Sequence, residues 1–95
     1  KDLYIENGKI VASKAEVSDT TEIDASNLKV LPGLVDVHFH GAAGYDFCDG
    51  TKEAFHAIET YENRHGITSI CPATMTLPVE ELKRILTVVS EDKPE

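Results

Sequence analysis

The apolar and polar positions divide the chain into a short β-patterned start and a longer stretch in which strand and helix patterns alternate. Residues 3–13 read LYIENGKIVAS. Asn7-Gly8 at their centre is a two-residue hairpin signal, because a type I′ turn requires positive φ at both central positions. That turn predicts Glu6 opposite Lys9 and Ile5 opposite Ile10. Residues 14–20 are polar and read as loop, and Thr21–Asp24 reads as a short strand. Asp24–Asn27 has turn chemistry, with Asp, Ser and Asn side chains competing for nearby backbone groups.

Pro32-Gly33 breaks the pattern. LVDVHFH, residues 34–40, then reads as a strand, being β-branched and aromatic and bounded by Gly33 and Gly41. Residues 41–50, GAAGYDFCDG, read as a loop of small residues. Thr51 is a natural N-cap for a helix over Lys52–His65, whose buried stripe would be Ala54, Phe55, Ile58 and Tyr61. Gly66 fits the position after the helix, with Arg64 and His65 suited to its negative end. Ile67–Cys71 reads as a second strand ended by Pro72. Pro78 fits the first position of a second helix buried through Val79, Leu82, Ile85, Leu86 and Val89. The tail EDKPE reads as solvated. Two strands joined by one helix should run parallel. The order of elements is thus a hairpin and short strands, then β-α-β-α, an α/β chain.

Length constrains this picture. At 95 residues the chain is too short for a complete (β/α)₈ barrel, which takes about 250 residues. Apolar residues make up 41% and charged residues 27%, ordinary values for a folded protein. The net charge of −8 argues against a nucleic-acid partner and against an anionic membrane surface. No apolar run approaches the roughly 20 residues of a membrane span. Lys1 leads directly into a strand-like pattern, so no signal peptide is visible, and the missing Met implies a start that is not the natural one. Cys48 and Cys71 lack C-x-x-C spacing and read as free thiols, which suits a reducing cytoplasm.

The chemistry-bearing residues cluster at the end of the 34–40 strand. His38 and His40 are two apart, so a regular strand sends both side chains from one face, as one metal ion requires. Asp36 would share that face one step deeper, either orienting a ligand from outside it or needing a partner of its own. Val35, Val37 and Phe39 would face covering helices. The loop Gly41-Ala42-Ala43-Gly44 is not a Walker loop, and its small residues would let a substrate approach the backbone beside the metal. His65 reads as a capping or packing residue and His56 as solvated. Cys71 reads as a small core residue. The helix charges read as solvated faces.

PGLVDVHFHG, residues 32–41, resembles the opening strand signature of the amidohydrolase superfamily. HGAAGYDFCDGT (40–51), ENRHGITS (62–69) and CPATMTLP (71–78) together resemble the N-acetylglucosamine-6-phosphate deacetylases within it. The resemblance covers most of residues 3–90. It implies a partial (β/α)₈ TIM barrel: residues 32–95 as its first two βα units, and residues 1–31 as the strand and hairpin segment of a small β-sandwich domain. It implies metal-dependent hydrolysis of the acetamide of N-acetylglucosamine 6-phosphate, giving glucosamine 6-phosphate and acetate. The substrate would be a small amino-sugar phosphate. His38 and His40 match the family's H-x-H ligands for a divalent metal, zinc, with one or two ions. Some members lack that pair and hold one metal with later residues. The family's other ligands, its general-base Asp and its phosphate-binding residues lie beyond residue 95, so the 95 residues alone are expected to be inactive. Another amidohydrolase, such as a dihydroorotase, hydantoinase or dipeptidase relative, would differ in those later ligands. A small non-catalytic αβ module that binds a metal or a partner is the reading from a different class. Open strand edges and apolar helix stripes lead to the expectation of a homo-oligomer.

Overall fold

A computed structural model describes residues 2–92. The strand-like start at Lys1 and the end of the EDKPE tail lie outside the described residues. The chain divides into two compact units, one up to Val30 and one from Leu31.

In the first unit, β1 (Tyr4–Glu6) and β2 (Lys9–Val11) pair antiparallel. The register is Ile5 with Ile10 and Glu6 with Lys9, as the turn predicts. Asn7 and Gly8 take φ of 49° and 72°, the signs a type I′ turn demands. Residues 14–16 form a 3₁₀ turn where loop was expected. Its start is held by the Ser13 N–H, which donates to Glu16 Oε1 at 3.0 Å. The Asp24–Asn27 turn forms: Asp24 Oδ1 accepts from Ser26 N at 2.9 Å, and these Ser26 contacts hold the Asp24 carboxyl below its usual pKa. The strand expected at Thr21–Asp24 does not form, and Ile23 stands 85% exposed. A strand needs a ladder partner, and among the described residues β1 and β2 pair only with each other.

The second unit holds β3 (Leu34–Phe39), β4 (Gly41–Ala42), β5 (Tyr45–Asp46), α1 (Lys52–Arg64), β6 (Ile67–Pro72) and α2 (Val79–Glu91). β3 and β6 run parallel, joined through α1, as the crossover rule requires. The small-residue loop is itself a hairpin, with β4 and β5 antiparallel across Ala43-Gly44. Both turn residues have positive φ, 55° and 85°. Gly41 is required there because a Cβ would collide with the Tyr45 carbonyl. The unit is mixed α/β, with two-stranded sheets and two helices.

α1 starts where Thr51 Oγ1 accepts from Ala54 N at 3.2 Å. It ends one residue early, with His65 as C-cap and Gly66 at φ 81°. Its buried stripe is Ala54, Phe55, Ile58 and Glu62. Glu62 is 6% exposed, whereas the expected Tyr61 is 44% exposed. The stripe thus advances by four residues after Ile58, and Tyr61 instead stacks on the His65 ring at 4.4 Å. Phe47, Phe55 and Ile85 form the core, with Cys48, Leu77, Val88 and Val89 packed against it. The Phe47 and Phe55 rings lie 5.1 Å apart. On α2, Val88 takes part in the core, while Val79 and Leu86 are exposed. Pro78 is the N-cap rather than the first helical residue.

α1 packs against β6 and the β4–β5 hairpin rather than along β3. Phe39, at the end of β3, lines a cavity of about 210 Å³ with Phe47, Phe55, Ile58, Ile70 and Val89. Val35 and Val37 were expected under the helices but are exposed, because the helices do not reach that part of the strand. Cys71 was expected in the core and is exposed. Its neighbours Ile70 and Pro72 line the cavity, so strand alternation turns Cys71 away from it.

Candidate metal centre

The end of β3 brings two imidazoles together. The His38 and His40 ring centroids are 5.1 Å apart, and the rings meet edge to face at 89°. Two imidazoles on one tetrahedral zinc, each bonded at about 2 Å, hold their centroids roughly 5 Å apart. The donor types suit a divalent cation, and the ring separation is compatible with one ion between them. Two ligands would make up only part of a coordination sphere, since a catalytic zinc takes about three protein ligands and an open position. Among the described residues no group of three or more His, Cys, Asp or Glu is placed to hold an ion.

The two histidines are held unequally. His40 is half-buried, and its Nδ1 lies 2.9 Å from the Ala73 carbonyl just beyond β6. A carbonyl only accepts, so Nδ1 is the donor in this contact. The His40 carbonyl accepts from Phe47 N at 2.7 Å, and the Phe39 carbonyl from Ala73 N at 2.8 Å. His38 is exposed, and its main-chain N–H donates to Asp36 Oδ1 at 3.0 Å.

Asp36 thus uses its carboxylate on the backbone, not on either ring. The strand geometry accounts for this. Asp36 pairs with Ile70 and Phe39 with Pro72, so β3 carries an extra residue between those rungs. Such a bulge breaks the two-residue alternation, and the period that placed Asp36 with the histidines does not run through it. Ala73, which does hold a histidine ring, carries no sequence signal: the group is a main-chain carbonyl, brought up by the pairing of β3 with β6.

Beside the pair, Gly41, Ala42, Ala43 and Gly44 build the β4–β5 hairpin. It is tied to α1 by Tyr45 Oη, which donates to Glu53 Oε1 at 2.9 Å. That bond and the negative charge of Glu53 push the Tyr45 phenol above its usual pKa. Cys48 Sγ accepts from Met75 N at 3.2 Å, fastening the segment after β6 to the core. The remaining histidines serve the helices. His65 Nδ1 donates to the Tyr61 carbonyl at 2.7 Å. His56 lies 3.5 Å from both Glu59 and Asp92 on the exposed side of α1. No helix among the described residues is long and apolar enough to cross a membrane.

Comparison with known proteins finds relatives that include N-acetylglucosamine-6-phosphate deacetylases and dihydroorotases. The chain is 30% identical over 90 residues to an N-acetylglucosamine-6-phosphate deacetylase of Vibrio furnissii, a match covering 93% of this chain and 23% of that protein. It is 34% identical over 93 residues to a dihydroorotase of Listeria welshimeri, covering 90% of this chain and 20% of the relative. A second N-acetylglucosamine-6-phosphate deacetylase, from Lysinibacillus sphaericus, is 31% identical over 77 residues, or 79% of this chain and 20% of that protein. The chain therefore spans about a fifth of the length of the curated relatives it matches. No family model matches it, and no solved structure does.

Proposed function

We propose that this chain is an amidohydrolase-superfamily segment, carrying the first two ligands of a metal centre at the end of the first strand of a (β/α)₈ barrel. The observation that carries the proposal is the His38–His40 pair, with rings 5.1 Å apart at the end of a parallel strand. Barrel enzymes place their active sites at that end of their strands. Both kinds of relative, the deacetylases and the dihydroorotases, are amidohydrolases, which supports the class.

Within it, we favour hydrolysis of the N-acetyl group of N-acetylglucosamine 6-phosphate by the longer polypeptide to which such a segment belongs. The motifs at 40–51, 62–69 and 71–78 and two of the relatives support this reading. A divalent ion at such a centre supplies a water with its pKa lowered to about 7 and polarises the scissile carbonyl. The chain's own residues have preparatory tasks. His38 and His40 would bind the ion, and the Ala73 carbonyl orients His40. The β4–β5 hairpin, with Gly41, Ala42, Ala43 and Gly44, would stand beside the substrate. The match to dihydroorotases supports a second reading, ring opening of a cyclic amide on the same two ligands.

One assay separates the two. A polypeptide of the relatives' length that contains this chain, loaded with zinc, is expected to release acetate from N-acetylglucosamine 6-phosphate and to leave dihydroorotate intact. Turnover of dihydroorotate alone would establish the second reading, and turnover of neither would reject both. The 95 residues by themselves are expected to bind zinc without turning over either substrate.

A further inference from the structure

We propose that Ala73 is the positioning residue of this centre: its carbonyl holds the Nδ1 proton of His40, so that His40 meets a cation through Nε2 alone. The inference rests on the metal reading above and adds which nitrogen binds and what selects it.

Ala73 grips β3 twice. Its N–H donates to the Phe39 carbonyl at 2.8 Å, and its own carbonyl accepts from His40 Nδ1 at 2.9 Å. One residue therefore fixes both the backbone leading into His40 and the rotation of the His40 ring. Phe47 N, bonded to the His40 carbonyl at 2.7 Å, fixes the backbone on the other side. Few rotations of the ring remain open, and each would break a half-buried hydrogen bond. Outer hydrogen bonds of this type set the tautomer and direction of a ligating imidazole. A main-chain carbonyl has no charge to lose, so the lock does not depend on ionisation of its acceptor. His38 has no such fixture: its ring is exposed, and among the described residues its ring neighbour is His40. The pair is thus one preset donor and one donor that orders on binding.

The test uses the full 95-residue chain labelled with ¹⁵N-histidine, followed by long-range ¹H–¹⁵N correlation before and after addition of Zn²⁺. Without metal, His40 is expected in the Nδ1–H form, with His38 averaged between tautomers. On adding Zn²⁺, the His40 Nε2 resonance should shift while Nδ1 keeps its proton. His40 in the Nε2–H form, or zinc on its Nδ1, would overturn the proposal. If the Nδ1–H form is present but Zn²⁺ moves neither histidine, the lock stands and the metal reading fails. Ala73→Pro keeps the carbonyl but removes the N–H that places it, and should release the His40 tautomer and weaken zinc binding by about 10- to 100-fold. Ala73→Gly keeps both groups and should retain the Nδ1–H form. Loss of that form in Ala73→Gly would also count against the proposal.

Discussion

Replacing Gly41 by alanine tests whether the small residues after His40 serve the chain's own closure or only leave room for a substrate. The added Cβ would collide with the Tyr45 carbonyl and come 2.9 Å from Asp46 Cα. Both obstacles are backbone, so no side chain can swing aside. The hairpin has two rungs, Gly41 with Asp46 and Ala42 with Tyr45, and relief requires opening them. Overpacking of this kind costs about 1–3 kcal/mol, and each lost backbone hydrogen bond adds roughly 0.5–1.5 kcal/mol. A destabilisation of about 2–3 kcal/mol is therefore expected. Gly44→Ala is the control. Its φ is +85°, but nothing lies within 4 Å of the added Cβ, so it bears only the left-handed backbone penalty of roughly 1–2 kcal/mol. Equilibrium urea unfolding measures both, provided the m-values agree. Gly41→Ala should also disturb the His40 resonances, because opening the hairpin loosens the bond from Phe47 N to the His40 carbonyl. A Gly41→Ala chain as stable as wild type, or less affected than Gly44→Ala, would refute the closure argument.

Three further outcomes are expected. Ile85 is fully buried in the core, so Ile85→Ala should cost about 2–5 kcal/mol in the same unfolding experiment, whereas Leu86→Ala, at an exposed position, should cost far less. Tyr45 should ionise above its ordinary value of 10.0, held up first by the hydrogen bond to Glu53 and then by that carboxylate's charge. Its protonated form is the one the fold favours, so the contact is intact below the ordinary tyrosine range and is lost as pH rises through the raised value. Glu53→Gln should bring the Tyr45 titration, followed by NMR, back towards 10.0. Finally, Asp36→Asn should change zinc affinity, measured by calorimetry, less than the roughly 10-fold typical of a ring-orienting partner, because its carboxylate holds the His38 N–H. A larger loss would show that Asp36 acts on a ring after all.

Local rules account for what was legible in this sequence. The Asn7-Gly8 hairpin and its register, the Thr51 cap, the glycine ending α1 and the parallel β3–β6 pair each follow from backbone preference or chain connectivity. The placing of His38 and His40 two apart at the end of β3 is likewise written in residue spacing, although the strand stops at Phe39, one residue short of the expected end. Several other features depended on which surfaces meet in three dimensions. Glu62 replaces Tyr61 in the helix stripe, and Val35, Val37 and Cys71 lie uncovered, because α1 packs on β6 and the β4–β5 hairpin rather than along β3. The Asp36 carboxylate turns to the backbone because a bulge shifts the strand's phase, and that bulge exists only in the pairing with β6. The hydrogen bond that orients His40 joins two groups 33 residues apart, one of them the main chain of an alanine. Spacing can set two imidazoles at the end of one strand. The direction in which one of them offers its lone pair is a long-range contact, and only the folded chain decides it.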